Sequence, residues 1–431
     1  MRYPILGLQM KRVPQLIAAA ELPIILAISP ALLFPTPRRL LVLLVVPVVW
    51  ACARRANGTL VPRTAMNLAV WLLLATVGVS LFTTVDVLFS LNKVASVVLG
   101  ALLFWAITRW MTTSDQLRYG TTAFLLAGAG LALVALLGTD WKSRSATVDA
   151  VIAVLPEAIR GLPGAEKGFN PNPVAGCLLL FIPLQVALLV VGSRRALVTT
   201  SNGRNPGAWL IAIQVMSLIL TASAFVLMQS RGAWAGLSVT AAAFLCWHGR
   251  RTRMLALVGA MAVVVVASTL GPEKVLSLAV NPSARGMAGG VAERIELWSN
   301  ALTAIQDVPL TGMGMNAFRR VMPVIYPTVL GTSLDTAHAH NQLLQTALDV
   351  GLAGLVAYLS VWLSAAALLV RVYRRTGNAV YRATAGGLGA GLIAHFAFGA
   401  TDAVALGTKA GVLFWLTLAL AVGLDRVSLR D

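Results

Sequence analysis

Long apolar runs separated by short polar connections dominate this chain of 431 residues. A helix needs roughly 20 apolar residues to cross the ~30 Å hydrocarbon core of a bilayer. About twelve runs approach that length, near residues 14–34, 40–53, 67–85, 94–112, 121–138, 173–192, 208–228, 233–248, 255–271, 342–370, 383–403 and 408–424. The pattern predicts an all-α integral membrane protein, with residues 1–431 forming a single polytopic membrane domain of about twelve transmembrane helices.

Two longer polar segments interrupt the apolar runs. Residues 139–172 are predicted to form the first external loop, and residues 272–341 a large external loop between the ninth and tenth helices. Within the large loop, apolar residues recur at positions 291, 295, 298, 301, 302 and 305. This is helical spacing, so the large loop is predicted to be partly helical, with an amphipathic helix near the membrane surface.

The charge of the chain is a topology signal. The chain is 58% hydrophobic, and its net charge is +18, which taken alone would suggest a nucleic-acid partner. With both termini placed in the cytoplasm, most of the Lys and Arg residues fall in cytoplasmic segments, as the positive-inside rule requires. We therefore predict cytoplasmic termini and no nucleic-acid binding. Lys93 and Arg231 are assigned to short external loops.

Two histidines, His338 and His340, lie where the large external loop enters the tenth apolar run. The ordinary pKa of imidazole is near neutrality, so a histidine at a membrane boundary is a candidate general base for chemistry on a lipid-linked substrate. The alternative is that the pair only caps a transmembrane helix. On a regular helix the two side chains would point about 200° apart, so they can share a cavity only if this segment is irregular.

Basic side chains on the external side indicate an anionic ligand. Arg231 forms part of a very short connection, where a guanidinium needs either an anion or access to water. A diphosphate matches the guanidinium fork. Arg294 in the large loop and Arg160 in the first loop add charge on the same side. The alternatives are an interfacial anchor for Arg231 and a solvated helix face for Arg294.

The carboxylates give a weaker pattern. None are paired as a glycosidase requires, and no His/Asp cluster in the sequence indicates a divalent metal, so we expect no metal site. The pattern assigns no role to Asp86, Asp402 or His395, which lie in or near apolar runs.

Several short motifs together resemble the O-antigen ligase family of bacterial lipopolysaccharide assembly. The clearest is His340-Asn341 followed by Gly351 and Gly354. The others are Arg231-Gly232 at a helix junction, Arg294 followed by Trp298, the turn Pro309-Leu310-Thr311-Gly312-Met313-Gly314, and Phe169-Asn170-Pro171-Asn172 before an apolar run. The superfamily also contains O-antigen polymerases and bacterial O-oligosaccharyltransferases.

The resemblance implies a glycosyltransferase that moves a preassembled glycan from undecaprenyl diphosphate to an acceptor, here the lipid A–core oligosaccharide. The reaction would take place at the periplasmic face of the bacterial inner membrane, among membrane lipids, without a metal, nucleotide or other cofactor. The two external loops would then be periplasmic. No nucleophilic carboxylate is evident, so direct displacement is expected to invert the anomeric centre.

Site residues follow from the same resemblance. His340 is predicted to be the general base, with His338 as its partner or the alternative base. The donor diphosphate is predicted to bind Arg231, Arg294 and Arg160, and the site to be shaped by Asn170, Asn172, Trp298, Asn341 and Gly351.

Three alternatives stay open. An O-antigen polymerase and a protein O-oligosaccharyltransferase would use the same kind of donor with a different acceptor. A polyisoprenyl-glycan transporter belongs to another class. It should show ionisable residues near the middle of the membrane and internal repeats, and the sequence has few of the former and no clear repeat.

Overall fold

The computed structural model of the protein is all-helical, as predicted. It describes residues 13–141, 146–156, 158–161, 165–199, 208–251, 254, 287–329 and 337–430. Within these residues there is no strand, and a single isolated bridge joins Thr139 to Phe169. The predicted run at 255–271, and residues 272–286 and 330–336 of the large loop, lie outside the described residues.

The helices are labelled here in chain order. They are α1 (Val13–Ala19), α2 (Glu21–Leu33), α3 (Val45–Asn57), α4 (Asn67–Thr83), α5 (Val87–Trp110), α6 (Ser114–Gly138), α7 (Ala146–Ile152), α8 (Pro171–Leu178), α9 (Ile182–Thr199), α10 (Ala208–Leu227), α11 (Arg231–His248), α12 (Met287–Asp307), α13 (Phe318–Ile325), α14 (Gln342–Arg375), α15 (Ala379–Gly399) and α16 (Val412–Ser428). Short 3-10 helices precede α3 (Arg39–Leu44) and α16 (Lys409–Gly411).

Six helical segments among the described residues are long and apolar enough to cross a membrane. They are Arg39–Asn57, Val87–Trp110, Ser114–Gly138, Pro171–Ser193, Gln342–Arg375 and Lys409–Ser428. The pair α1 and α2 would add a seventh if it forms one bent span. The protein is therefore a multi-pass membrane protein, and the count of twelve spans stays a prediction for the whole chain.

The first apolar run is broken, although the sequence predicts one continuous span at 14–34. The axes of α1 and α2 differ by 56° at the break between them. Pro23 has no amide proton to donate to the carbonyl of Ala19, four residues earlier, so the helical hydrogen-bond ladder is interrupted at this point.

The start of α5 corrects the position predicted for Lys93. The side chain of Asp86 accepts a hydrogen bond from the amide of Phe89 (2.9 Å) and begins the helix at Val87, well before the predicted start at 94. Lys93 is therefore a buried residue inside α5 and does not lie in a short external loop. This cap also gives Asp86 a structural role.

His395 is a buried side chain of α15. Its Nδ1 atom lies 2.8 Å from the carbonyl oxygen of Gly176 in α8, and its ring is nearly parallel to that of Trp362. These contacts make it part of the packing between helices.

The helix predicted in the large loop is present as α12. Its buried residues Leu297, Ala301 and Ala304 pack in a cluster with α13, while Ile295 and Leu302 are exposed. The location of this helix at the membrane surface stays a prediction.

A kink at Gly351 divides α14 into a short N-terminal part (342–350) and a longer C-terminal part (352–375). Gly351 has φ +73°, a left-handed conformation that glycine adopts without a Cβ clash. The amide of Leu352 donates to the carbonyl of Pro309 (2.7 Å), and the amide of Met313 donates to that of Leu348 (2.8 Å). The turn 309–314 is therefore seated on the kink, which connects two of the sequence motifs in space.

Gly351→Ala should destabilise the protein by more than the strain of placing a side chain on a left-handed backbone. The added Cβ would overlap the carbonyl group of Leu310. Gly58 is the matched control, because it has φ +75° and no neighbour within 4 Å of an added Cβ. We expect Gly58→Ala to cost about 1–2 kcal/mol and Gly351→Ala about 2–5 kcal/mol, strain and overpacking together. Thermal unfolding in detergent measures both, and equal losses would contradict this account of the kink.

Candidate active site

The segment 400–402, directly after α15, is where several distant parts of the chain meet. The carbonyl of Ala400 accepts a hydrogen bond from the side-chain amide of Asn341 (3.2 Å). The carbonyl of Thr401 accepts one from the guanidinium of Arg294 (2.8 Å). The start of α14 and the middle of α12 are thus attached to neighbouring peptide groups.

Asp402 attaches the histidine motif to the same segment. Its buried carboxylate oxygen Oδ1 lies 3.1 Å from His340 Nδ1 and 3.9 Å from His338 Nε2, and accepts the amide of Ala403 (2.9 Å). Burial raises the pKa of Asp402, but the hydrogen bond from His340 and the charges of both imidazoles outweigh it and lower the pKa below its usual value. The carboxylate is therefore ionised.

An ionised carboxylate only accepts hydrogen bonds, so the proton of the His340 ring lies on Nδ1. In the neutral ring, Nε2 then carries the lone pair that can take up a proton. The side chain of His340 is 31% exposed, against 14% for His338. His340 is the more accessible of the two bases.

His338 packs beside His340 and supports it. The backbone amide of His340 donates to His338 Nδ1 (3.2 Å), and the two ring centroids are 4.4 Å apart. Burial, followed by the charge of His340, lowers the pKa of His338 to about 4. His338 is thus a neutral ring at physiological pH.

The segment carrying the two histidines is irregular, which lets both rings reach Asp402. His340 has φ +47°, a left-handed conformation that costs about 1–2 kcal/mol for a residue with a Cβ. The helix begins only at Gln342, capped by Asn341, whose side chain accepts the amides of Leu343 (3.0 Å) and Leu344 (3.1 Å). The opposed directions expected on a regular helix do not apply.

Trp298 connects α12 to the histidine segment. Its indole N–H donates to the carbonyl of Ala339 (2.9 Å), the residue between the two histidines. Trp298 lies one helical turn after Arg294, so one face of α12 contacts both the histidine segment and Thr401.

Arg231 is the first residue of α11, and its neighbour Gly232 packs against the 400–402 segment. A Cβ built on Gly232 would lie 2.6 Å from the Thr401 hydroxyl oxygen, so only glycine allows this approach. The N-terminus of α11, where a helix favours anions, therefore adjoins the same segment as Arg294 and His340.

Residues 216–359 match the family model described as O-antigen ligase. Over this range the chain is similar to the O-antigen ligase family. No curated protein matches the chain. The matched range contains Arg231, Arg294, His338 and His340, and it ends before the 400–402 segment that Arg294 and both histidines contact.

The motifs that resemble the family are divided between two regions. In the first, Arg294, His338, His340 and Asn341 contact residues 400–402. Trp298 contacts the histidine segment, and Gly232, the neighbour of Arg231, packs against Thr401. Gly351 belongs to this region through the turn 309–314.

The other predicted site residues lie in the segment 139–172. Arg160 pairs with Asp140 at 3.5 Å. Asn170 caps α8 by accepting the amide of Asn172 (3.0 Å). Roles for these three residues in the site stay predictions.

Asp402 is the residue that sequence reasoning missed. It is 62 positions from His340, so spacing gives no indication of the contact. The available signal was an acidic residue inside the predicted apolar run 383–403, because an ionisable side chain at membrane depth is costly and points to a function.

Metal binding is a second chemistry that this cluster permits by residue type. The nearest ligand atoms of His338, His340 and Asp402 all lie within 4.8 Å of one another. No spacing in the sequence indicates this His/Asp cluster, because Asp402 is 62 positions from His340. Its surroundings are cationic, because the charges of Lys93 and Arg294 act on His338. Positive neighbours oppose a divalent cation and favour an anionic ligand.

The low pKa of His338 can be measured directly. A lowered pKa means that the neutral ring persists as the pH falls, so His338 should take up a proton only near pH 4. Histidine-labelled NMR in detergent would follow the ring, with His338→Gln to assign its signal. Protonation near the ordinary histidine value of about 6.5 would contradict the buried, neutral ring described above.

Proposed function

We propose that this protein is an O-antigen ligase. It transfers a preassembled glycan from undecaprenyl diphosphate to the lipid A–core oligosaccharide at the periplasmic face of the bacterial inner membrane. The observation that carries the proposal is the attachment of His340 and Arg294 to adjacent residues, Asp402 and Thr401. A base and a phosphate-binding cation are thereby held together at one place.

His340 is the general base of the proposed reaction. The acceptor hydroxyl gives its proton to Nε2 while Asp402 holds Nδ1–H and stabilises the imidazolium that forms, as a carboxylate does in a catalytic triad. General-base catalysis of this kind contributes about 10²–10⁴-fold to a rate. His338 orients His340 by accepting a hydrogen bond from the backbone amide of His340.

Arg294 and Arg231 bind the donor diphosphate. Their guanidinium groups match phosphate oxygens and can stabilise the negative charge that develops on the leaving group. Arg294 is oriented by its bond to Thr401, and Arg231 begins a helix whose N-terminus favours an anion.

The bond changes balance without a further reactant. The acceptor oxygen forms a bond to the anomeric carbon as the bond from that carbon to the diphosphate oxygen breaks. The electron pair leaves with undecaprenyl diphosphate, and the acceptor proton is transferred to His340. A single displacement inverts the anomeric centre, and the cationic arginines take the place of a divalent metal.

The orientation proposed for the chain rests on its charges. Cytoplasmic termini put most of the Lys and Arg residues inside, as the positive-inside rule requires. The histidines and α12 then face the periplasm, where the lipid-linked donor and the lipid A–core acceptor meet.

A deletion strain separates the ligase from its relatives, because they differ in the acceptor. We expect lipopolysaccharide without any glycan cap, with lipid-linked polymer retained. Cores capped with a single repeat unit would instead identify a polymerase. Unchanged lipopolysaccharide with loss of glycosylated protein would identify a protein O-oligosaccharyltransferase.

Replacing His340 tests the base. His340→Ala should lower the transfer rate by about 10²-fold or more, while donor binding stays near normal because the arginines supply it. Asp402→Asn should lower the rate by a smaller factor, since the imidazole remains but its proton position is no longer fixed. His338→Ala should also retain more activity than His340→Ala. Transfer assays on purified variants decide this, and an inactive His338→Ala beside an active His340→Ala would exchange the two roles.

Replacing Arg294 tests the diphosphate site. Arg294→Ala should lower transfer by about 10²–10³-fold, and Arg294→Lys should restore only part of it, because the bidentate fork is lost. Arg118→Ala is the control, an exposed arginine paired with Asp115. Wild-type activity should also survive EDTA. A strict requirement for a divalent ion would assign the charge stabilisation to a metal held by the histidines and Asp402.

A further inference from the structure

We infer that Lys93, Asp349 and Gln345 form a positioning relay that holds the two histidines on Asp402. This inference rests on the proposed function, since it assigns the relay to the orientation of the base. The relay lies inside the helical bundle, behind the histidine segment, and touches neither histidine ring.

The relay is a chain of three contacts between buried residues. The amide of Ala339 donates to Gln345 Oε1 (2.8 Å), and Gln345 Nε2 donates to Asp349 Oδ1 (3.0 Å). The other carboxylate oxygen of Asp349 lies 3.6 Å from Lys93 Nζ. Gln345 and Asp349 are fully buried and Lys93 is 8% exposed. The chain therefore runs from α5 through α14 to the residue between the histidines.

The bonds at its two ends determine which way the Gln345 amide faces. An amide has a donor end and an acceptor end, and a backbone N–H can only donate. The amide of Ala339 therefore requires the Oε1 end of Gln345, which leaves Nε2 to donate to Asp349 Oδ1. Lys93 contacts the other carboxylate oxygen of Asp349 and helps to hold the carboxyl group in the position that accepts from Gln345.

Ala339 is held at both of its peptide groups. Gln345 accepts its N–H, and Trp298 donates to its carbonyl. The next residue, His340, has a left-handed backbone, which a residue with a Cβ keeps only when its surroundings impose it. Loss of the Gln345 bond should let residues 338–340 relax and move the rings away from Asp402.

The buried ion pair of Lys93 and Asp349 is expected to contribute little to the stability of the fold. Lys93 Nζ and Asp349 Oδ2 are buried, and within the described part of the chain neither makes a hydrogen bond. Replacing such a pair by apolar side chains is often neutral or stabilising. A pair that adds little stability yet orients the next group in a hydrogen-bonded chain fits a positioning role.

Asp349 receives one further bond, which fixes its position. The backbone amide of Asn316, following the turn 309–314, donates to Asp349 Oδ1 (3.2 Å). The Asn316 side chain donates to the carbonyl of Phe89 in α5 (3.0 Å). The relay is thus connected at the point where α5, α14 and this turn meet.

The first test removes the amide. Gln345→Met keeps the length of the side chain and removes both hydrogen bonds. We expect kcat to fall about 10- to 100-fold, the cost of misplacing a catalytic group by about 1 Å, with the donor KM unchanged. Gln185→Met is the matched control: Gln185 is also buried and bonds to Ser217 (2.8 Å) and Thr221 (2.7 Å) in α10. Its kcat should not change.

A double-mutant cycle with His340→Ala separates positioning from general destabilisation. If Gln345 acts through His340, then Gln345→Met should cause no further loss in a protein that already lacks the imidazole. A full additional loss in the His340→Ala background would overturn the inference, because it would show an effect independent of the base.

The second test removes the charges. Single replacement of Lys93 or Asp349 leaves an unpaired buried charge and is expected to unfold the protein. The paired variant Lys93→Met with Asp349→Leu leaves no unpaired charge and should fold, although its unfolding temperature should fall because the Asn316 amide loses its acceptor. It should show the same loss of kcat as Gln345→Met. Wild-type kcat in the folded paired variant would overturn the inference and leave the pair a structural contact.

Activity measurements distinguish failure of the proposed base from failure of the positioning relay. Full activity of His340→Ala would remove the base, and with it the proposed mechanism. Full activity of Gln345→Met, in a protein whose His340→Ala variant is inactive, would remove only the positioning relay.

Discussion

The carboxylate of Asp402 is buried, and a buried charge is stable only when its oxygens have partners. Here the hydrogen-bond partners are the His340 ring and the amide of Ala403, and the His338 ring lies 3.9 Å away, so the need to satisfy one carboxylate determines where the histidine segment lies. The two residues before Asp402 receive Asn341 and Arg294. The histidine segment and α12 are thus placed relative to each other by a short segment without regular structure.

The kink at Gly351 allows this arrangement to coexist with a membrane-spanning helix. It separates the N-terminal part of α14, which carries Gln345 and Asp349, from the C-terminal part. The turn 309–314 fills the space at the kink and connects the N-terminal part to residues that precede α13. The site therefore rests on a helix segment whose direction is set by the surrounding loops.

The sequence predicted the features that depend on local pattern. Apolar runs predicted helices, and the motifs pointed to His340 and Arg294, which are attached to the adjacent residues Asp402 and Thr401. The failures have a common cause, because they depend on contacts that pattern does not record. Lys93 looked like a loop residue because a charge usually ends an apolar run, yet the Asp86 cap and Asp349 keep it inside a helix. Asp402 had no role in the sequence because its partners are far away along the chain.

The separation between His340 and Asp402 along the chain has a consequence for biosynthesis. Arg294 and both histidines are synthesised before α15, and Asp402 is synthesised after it. In a nascent chain that ends after α14, the His340 ring has no carboxylate to hold its Nδ1 proton. Arg294 likewise lacks the carbonyl of Thr401 to which it donates. The contacts of His340 and Arg294 with residues 400–402 can therefore form only after α15 has been made, so a chain that ends before α15 cannot complete this cluster.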